Sequence, residues 1–183
     1  MIRQCEPGEF EKIYQVINDA ASAYRGVIAP DCWKEPYMSR EEIRHEIDDG
    51  VVFWGSYEGT ESLGVMGLQH VGEVALIRHA YVRTAGQRRG IGTGLLAHLR
   101  RQTDLPMLVG TWKAATWAIR FYQKHGFRLV RPALKEQLLR RFWSVPQRQI
   151  EESVVLADER YPAANPEQSG LFETQEKKHE WKV

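Results

Sequence analysis

A chain of 183 residues is long enough for one compact domain with a core, and its net charge of +1 gives no overall field to attract nucleic acid or an acidic membrane. The hydrophobic fraction of 43% and the charged fraction of 27% are those of a globular protein. Cys5 and Cys32 are too few for a disulfide framework and stand in no metal-ligand spacing, so no metal is expected. Without a signal-peptide pattern or a long apolar run, the expected location is the cytoplasm.

The N-terminal third predicts two helices joined by an irregular loop. Apolar residues recur at helical spacing through 10–21, after a proline, Pro7, that suits a first helical turn. Residues 26–38 contain two prolines and two aromatic residues, which favour a loop. An S-x-x-E capping box opens the second helix at Ser39, and Gly50 is placed to end it.

The middle of the chain predicts an antiparallel meander followed by a helix and a buried strand. The β-rich runs are 51–54, 63–68 and 74–82, separated by turn residues. Gly90 then opens a helix whose apolar face ends at Leu99, and a buried strand is expected at 106–109.

The C-terminal part predicts a helix over 114–125, capped by Gly126, and then a strand, an inserted amphipathic helix and a last strand. These last three elements are expected at 127–130, 134–143 and 153–156. One domain is therefore predicted over residues 1–158, and residues 159–183 are expected to form a polar tail that is loose or docked on a neighbour.

The segment Gln87-Arg88-Arg89-Gly90-Ile91-Gly92 has the properties of a phosphate site. It joins a predicted strand to a helix start, where unpaired backbone N–H groups and the helix dipole favour an anion. The dinucleotide fingerprint would need glycine in place of Leu95, and the Walker Gly-Lys-Ser/Thr is absent, so both of these interpretations fail. That the glycines merely cap and pack a helix remains an alternative.

Two ordered motifs give a family resemblance. Residues 80–92 resemble the acetyl-CoA motif Q/R-x-x-G-x-G/A of the GNAT acetyltransferases, and residues 118–127 resemble their A-x-x-F-Y-x-K-x-G-F pattern. The likeness is residue-specific from about Val74 to Phe127, and it follows the element order from about 2 to 156. One departure is Ala115, where many members have an asparagine that contacts the cofactor; that contact is either missing here or supplied by Thr111 or Thr116.

The resemblance implies an α/β (α+β) fold with a mixed, mostly antiparallel sheet of about seven strands flanked by helices. Two central strands would splay apart, and the pantetheine arm of acetyl-CoA would lie between them, bonded to backbone at the end of the fourth strand. The implied cofactor-binding residues are Ala80, Tyr81, Val82, Gln87, Arg88, Arg89, Gly90, Ile91, Gly92 and Thr93.

The implied reaction is transfer of the acetyl group to an amine of a small molecule or a protein by direct attack. Tyr122 matches the family tyrosine near the cofactor sulfur and is the candidate general acid. A backbone N–H near Tyr81 or Val82 would meet the oxyanion. Glu73 is the candidate base, with His79 or water as alternatives.

Fourth-strand alternation puts Leu76, Arg78, Ala80 and Val82 on one face and Ile77, His79 and Tyr81 on the other, unless a bulge exchanges those faces. Arg78 could orient an acidic group on the acceptor. The alternative to an enzyme is a non-catalytic acyl-CoA-binding module with the same fold.

The acceptor pocket is expected to be framed by the 26–38 loop and the second helix. Its candidate residues are Tyr24, Trp33, Tyr37 and His45, and Trp112 and Trp117 either join it or pack the core. The inserted helix carries Leu138, Leu139, Phe142 and Trp143. They could form a homodimer surface that shapes the acceptor site, or could pack within the chain.

Overall fold

The computed structural model describes residues 1–162, and they form one seven-stranded sheet with helices on both faces. The strands are β1 (Ile2–Gln4), β2 (Val52–Glu58), β3 (Glu61–Val71), β4 (Val74–Val82), β5 (Met107–Trp112), β6 (Arg128–Leu129) and β7 (Ser153–Ala157). The helices are α1 (Phe10–Ala21), α2 (Arg40–Asp48), α3 (Ile91–Arg100), α4 (Thr116–Lys124), α5 (Pro132–Phe142) and α6 (Gln147–Glu152).

The sheet is mixed and mostly antiparallel, as predicted. Its strand order is β1-β2-β3-β4-β5-β7-β6. Only β4 and β5 pair in parallel, while the other five neighbouring pairs are antiparallel. The two parallel strands stand at the centre, where the chain passes through α3 to cross from one strand to the other.

Period-two alternation along the central strands divides the core between the two faces. Ile77 and Val109 pack with apolar residues of α3 and α4, whereas Leu76 and Leu108 pack with those of α5. Helices α1 and α2 cover the neighbouring part of the second face, where they pack against Phe53 of β2 and against β3. The sheet is therefore covered on both sides, which leaves the ends of the central strands as the place for a site.

The predicted helices and strands are confirmed, with differences at the shortest elements. The capping box of α2 is present, with the Ser39 side chain accepting from the Glu42 N–H and Glu42 accepting from the Ser39 N–H. Strand β1 and helix α6 have no counterpart in the predictions, because three and six residues are too short to show a period.

The four apolar residues of the inserted helix lie in the chain's own core. Leu138, Leu139, Phe142 and Trp143 are all buried, at 9% exposure or less, against β4, β5 and β7. The suggestion that they form a dimer surface was therefore wrong, since intramolecular packing already covers them.

The ordered fold continues a few residues past the predicted boundary at 158. Asp158 is fully buried and accepts a hydrogen bond from the Met107 N–H, and Arg160 binds both Asp158 and the Thr103 carbonyl. The rest of the predicted tail, 163–183, lies outside the described residues. Within 1–162, every helix is too short or too polar to cross a membrane.

Candidate active site

Strands β4 and β5 pair over only part of their length and then separate. The parallel pairing joins Ala75, Leu76 and Ile77 to Met107, Leu108 and Val109. Past Ile77 and Val109 both strands continue, but their facing edges no longer pair, while the other edge of β5 stays paired with β7. The expected splay is therefore present, and it exposes backbone groups of residues 78–82 to the gap.

A bulge interrupts β4 at the start of the splay. The register with β3 joins Gly67 to Arg78 and Val65 to Tyr81, so His79 and Ala80 have no regular partner on β3. His79 adopts a φ of 49°, which is uncommon for a residue with a side chain and is found where function holds the backbone in place. Beyond the bulge the faces are exchanged: Ala80 packs with the α3 cluster and Tyr81 with the α1 and α2 cluster.

The glycine turn, residues 87–93, runs directly into α3. Gly90 is the N-cap of α3 with a left-handed φ of 77°, and the first helical hydrogen bond runs from the Gly94 N–H to the Gly90 carbonyl at 2.9 Å. The amides of Ile91, Gly92 and Thr93 precede that bond and point out of the helix end. The expected anion site is thus geometrically present.

Charged and polar side chains surround this turn. Arg88 is exposed with a φ of 61°, and Arg89 is ion-paired with Glu58 at 2.9 Å. The Thr93 hydroxyl lies 3.1 Å from Nε2 of His125, whose Nδ1 lies 2.7 Å from the Phe121 carbonyl. Because a carbonyl accepts only, Nδ1 carries the proton and Nε2 accepts from Thr93. This bond ties the end of α4 to the start of α3.

Tyr122 lies on α4 and faces the splay. It is 4% exposed and packs edge-to-face against Phe121 and Phe127, with ring centroids 5.1 and 5.4 Å apart. Burial, with a smaller contribution from nearby Tyr24, raises the pKa of the Tyr122 hydroxyl above its usual 10.0. The phenol is therefore neutral at physiological pH and keeps a proton to donate.

A cavity of about 540 Å³ opens at the splay. Its sheet half is lined by β4, β5 and α4, including Ala80, Tyr81 and Tyr122. Its outer half is lined by residues between 24 and 46 and by residues between 139 and 153. The 26–38 loop, α2 and the segment inserted between β6 and β7 therefore meet over the end of the splay.

A carboxylate, a guanidinium and an imidazole meet in the wall of this cavity. Glu46 of α2 accepts a hydrogen bond from Nη2 of Arg78 at 2.6 Å, and Nη1 of Arg78 donates to Gln69 at 2.7 Å. Nε2 of His79 lies 2.9 Å from Oε2 of Glu46 as an ion-pair contact without the alignment of a hydrogen bond, and Nη2 of Arg78 lies 2.5 Å from the same oxygen. One guanidinium nitrogen and one imidazole nitrogen thus converge on the same carboxylate oxygen.

Glu46 remains ionised in this setting. Burial alone would raise its pKa, but the contact with His79 and the charge of Arg78 outweigh burial and lower the pKa below its usual 4.5. Sequence reasoning missed Glu46, since it is 33 positions from His79 in the chain and no local pattern marks it.

The structure does not bring Glu73 to the cavity. Glu73 lies in the turn before β4, at the opposite end of that strand from the splay, and its exposed carboxylate pairs with Arg141 at 2.6 Å. It is not among the residues that line the cavity. Its expected role as a base fails on geometry, because a base must come within hydrogen-bond reach of the amine.

The aromatic candidates divide between the cavity wall and its surroundings. Tyr24, Tyr37 and Trp112 line the cavity. Trp33 packs on Tyr37 from outside it, and Trp117, 44% exposed, stacks on Tyr24 with centroids 5.7 Å apart. His45 lines the rim and pairs with Asp49 at 3.4 Å.

A family profile described as an acetyltransferase (GNAT) domain matches residues 16–142, well over half of the chain. The chain belongs to the GNAT acetyltransferase family. The predicted family and fold class are thereby confirmed. A search of curated proteins found no significant match to this GNAT domain.

Solved structures of GNAT proteins share its fold at low sequence identity. The PaiA N-acetyltransferase from Thermoplasma acidophilum, in complex with coenzyme A, is 17% identical with a TM-score of 0.65, covering 86% of this chain and 97% of that one. The ribosomal-protein-S18-alanine N-acetyltransferase from Escherichia coli is 15% identical with a TM-score of 0.61, covering 86% and 92%. The N-acetylglutamate synthase from Neisseria gonorrhoeae, complexed with coenzyme A and N-acetyl-glutamate, is 17% identical with a TM-score of 0.59, covering 88% of this chain and 35% of that one.

Proposed function

We propose that this GNAT domain transfers the acetyl group of acetyl-CoA to an amine by direct attack. The observation that carries the proposal is the cavity at the β4–β5 splay, with Tyr122 in its wall and the glycine turn beside it. The likeness in fold to proteins solved with coenzyme A supports acetyl-CoA as the cosubstrate.

The described residues fit the cofactor. The amides of Ile91, Gly92 and Thr93, together with Gln87, Arg88 and Arg89, would hold the pyrophosphate, because a helix N-terminus and nearby arginines both favour a doubly charged anion. Ala80, Tyr81 and Val82 would present backbone groups to the pantetheine arm at the splay.

Two groups at the splay take part in the reaction: one donates a proton to the leaving sulfur, and the other stabilises the developing negative charge. The amine nitrogen bonds to the carbonyl carbon, the carbon–sulfur bond breaks, and Tyr122 donates its proton to the departing sulfur. Because burial raises the pKa of Tyr122, the phenol stays protonated until the thiolate departs. A backbone N–H near Tyr81 or Val82, just past the bulge, would stabilise the oxyanion.

The Glu46–His79 pair replaces Glu73 as the proton acceptor. A protonated amine must lose a proton before it can attack, and His79 in the cavity wall has an imidazole suited to accept it. Glu46, held ionised by its contacts with His79 and Arg78, would stabilise the imidazolium that forms. The strained bulge keeps the imidazole next to Ala80.

Calorimetric titration with acetyl-CoA, with NADH and ATP as comparison ligands, tests the cofactor, and thiol release over a panel of amines tests the reaction. We expect saturable binding of acetyl-CoA alone, and free thiol that depends on both protein and amine. Binding without thiol release from any amine would instead support the non-catalytic acyl-CoA-binding module. No binding by folded protein would refute both.

A further inference from the structure

The cavity is walled by aromatic rings from three separate parts of the chain. Tyr24 and Tyr37 come from either end of the segment between α1 and α2, Trp112 from the end of β5, and Trp143 from the end of α5. Tyr81 joins them at the border with the sheet half. Aromatic side chains bring a large apolar surface and prefer stacked or edge-to-face ring partners.

The polar atoms of these aromatic side chains mostly form hydrogen bonds with one another. The indole N–H of Trp112 donates to the Tyr37 hydroxyl at 2.6 Å, and the hydroxyls of Tyr24, Tyr37 and Tyr81 interact. Ring centroids lie 5.4 Å apart for Tyr24 and Tyr37 and 6.5 Å apart for Tyr37 and Tyr81. Burial raises the pKa of these three tyrosines, so the wall carries no charge from them at neutral pH.

The charged groups that line the cavity are already matched in pairs. Asp31 pairs with Arg148 at 2.7 Å, and Glu46 pairs with Arg78 at 2.5 Å. Lys34 and Glu42 form the third pair. A polyamine is best held by several free carboxylates and an acidic amino acid by a free cation, whereas each of these six groups already has a partner of opposite charge, and the Glu46–Arg78 pair is the most buried of the three.

The insertion between β6 and β7 limits the length of what can enter. The turn between α5 and α6 brings Trp143, Val145 and Pro146 to the cavity wall, which the segment between α1 and α2 also lines. Arg148 of α6 holds Asp31 of that segment with two nitrogens, at 2.7 and 3.3 Å, so an ion pair joins the two sides at the rim. An extended polypeptide laid across the splay would meet this bridge.

We propose that the acceptor is a compact amine with a flat, apolar body, of the arylalkylamine class. This inference rests on the proposed function. The ring of the acceptor packs among Tyr37, Trp112 and Trp143, and its amino group reaches Ala80 and the Glu46–His79 pair. Polyamines, acidic amino acids and polypeptide N-termini are disfavoured by the paired charges and by the bridged rim.

The test compares acceptors in a thiol-release assay at saturating acetyl-CoA. The probes are 2-phenylethylamine and tyramine against spermidine, L-glutamate and a hexapeptide with a free N-terminal alanine. We expect kcat/KM for the two aryl amines to exceed that of each other probe by about tenfold or more, since the other probes leave charged groups unmatched.

A pair of tryptophan variants links the preference to the wall. Trp143→Leu should raise KM for 2-phenylethylamine about five- to tenfold with kcat unchanged, which is the loss of one good aromatic contact. Trp54→Leu is the matched control, because Trp54 lies on β2 against His98, with centroids 4.4 Å apart, and does not line the cavity. Calorimetric binding of acetyl-CoA shows that each variant is folded.

The outcomes separate this inference from the proposed function. Preference for spermidine, glutamate or the peptide would overturn the inference and leave the acetyltransferase standing. Equal KM values for wild type and Trp143→Leu would also overturn it. Binding of acetyl-CoA without transfer to any of the five amines would overturn it together with the enzymatic proposal, and absence of acetyl-CoA binding would refute the cofactor itself.

Discussion

The glycine turn at 87–93 and the outer half of the cavity are built by opposite means. The turn uses backbone amides, a left-handed Gly90 and residues adjacent in sequence. The outer half uses side chains from residues 24–46 and 139–153, brought together only by the fold. Under the proposed function, cofactor binding depends on the local backbone, whereas acceptor choice and proton removal depend on distant side chains. Substitutions in the two regions should therefore have separable effects.

Tyr122 stands between the two regions, and Tyr122→Phe should have the largest effect. Loss of the proton donor should lower kcat about 100-fold, while the Kd for acetyl-CoA changes by less than about twofold. Thiol release and calorimetry measure these quantities. Tyr161→Phe is the control, since Tyr161 packs near α5 and does not line the cavity. Unchanged turnover in Tyr122→Phe would show that Tyr122 is not the general acid.

The next effect concerns the Glu46–Arg78 pair. Glu46→Gln leaves a largely buried guanidinium without its carboxylate and should lower the free energy of unfolding by about 2 kcal/mol at about pH 7. Because the folded-state pKa of Glu46 is lowered, its contribution is present above pH 4.5 and is lost as the pH falls through the lowered value. Urea denaturation should therefore show that wild type and variant differ less in acid.

A variant of a second carboxylate, Glu9, serves as the control that distinguishes a loss of stability from a loss of catalysis. Glu9 also has a lowered pKa, caused chiefly by Arg3, but it bonds Arg3 and Tyr57 away from the cavity. Glu46→Gln and His79→Gln should each lower kcat about tenfold with acetyl-CoA affinity kept. Glu9→Gln should lose stability without that kinetic effect. Equal kcat losses in Glu9→Gln and Glu46→Gln would contradict a catalytic pair.

In the glycine turn, Gly90→Ala should weaken acetyl-CoA binding about tenfold, because a Cβ strains the left-handed conformation and turns the amides of α3 away. Gly50→Ala is closely matched: its φ is 94°, and at both glycines an added Cβ would meet no other atom within 4 Å. Both variants should lose similar stability. If the two also bind acetyl-CoA equally well, the turn is not the pyrophosphate site.

The smallest effect is expected at the bridged rim. Asp31 and Arg148 are about half exposed, and such pairs contribute about 0–1 kcal/mol, so Asp31→Asn should change the acceptor KM by no more than about fivefold. The change should shrink in high salt. Glu136→Gln, which breaks the exposed pair with Arg140, should leave KM unchanged. A large change in KM that does not depend on salt would instead indicate that Asp31 contacts the acceptor directly.

The sequence predicted the elements whose pattern is long or contiguous. Helix α1, the capping box of α2 and the Gly90 helix start are written in adjacent residues, and so is the motif that contains Tyr122. The Glu46–His79 contact could not be predicted, because it depends on how α2 docks on the sheet and on the backbone bulge at His79.

Glu73 is the opposite case, because it was predicted to lie in the site and the structure places it elsewhere. It was placed by nearness in sequence to the fourth strand, but a nine-residue strand separates the turn at its start from the splay at its end. At about 3.3 Å per residue, that distance is far beyond hydrogen-bond reach.

The most direct measurement is thiol release from acetyl-CoA with 2-phenylethylamine, followed together with mass-spectrometric detection of the acetylated amine. A GNAT enzyme with the site described should produce one free thiol per N-acetylated product, and Tyr122→Phe should slow both about 100-fold together. Folded protein that binds acetyl-CoA but yields neither thiol nor acetylated product, with this amine or any other in the panel, would contradict acetyl transfer.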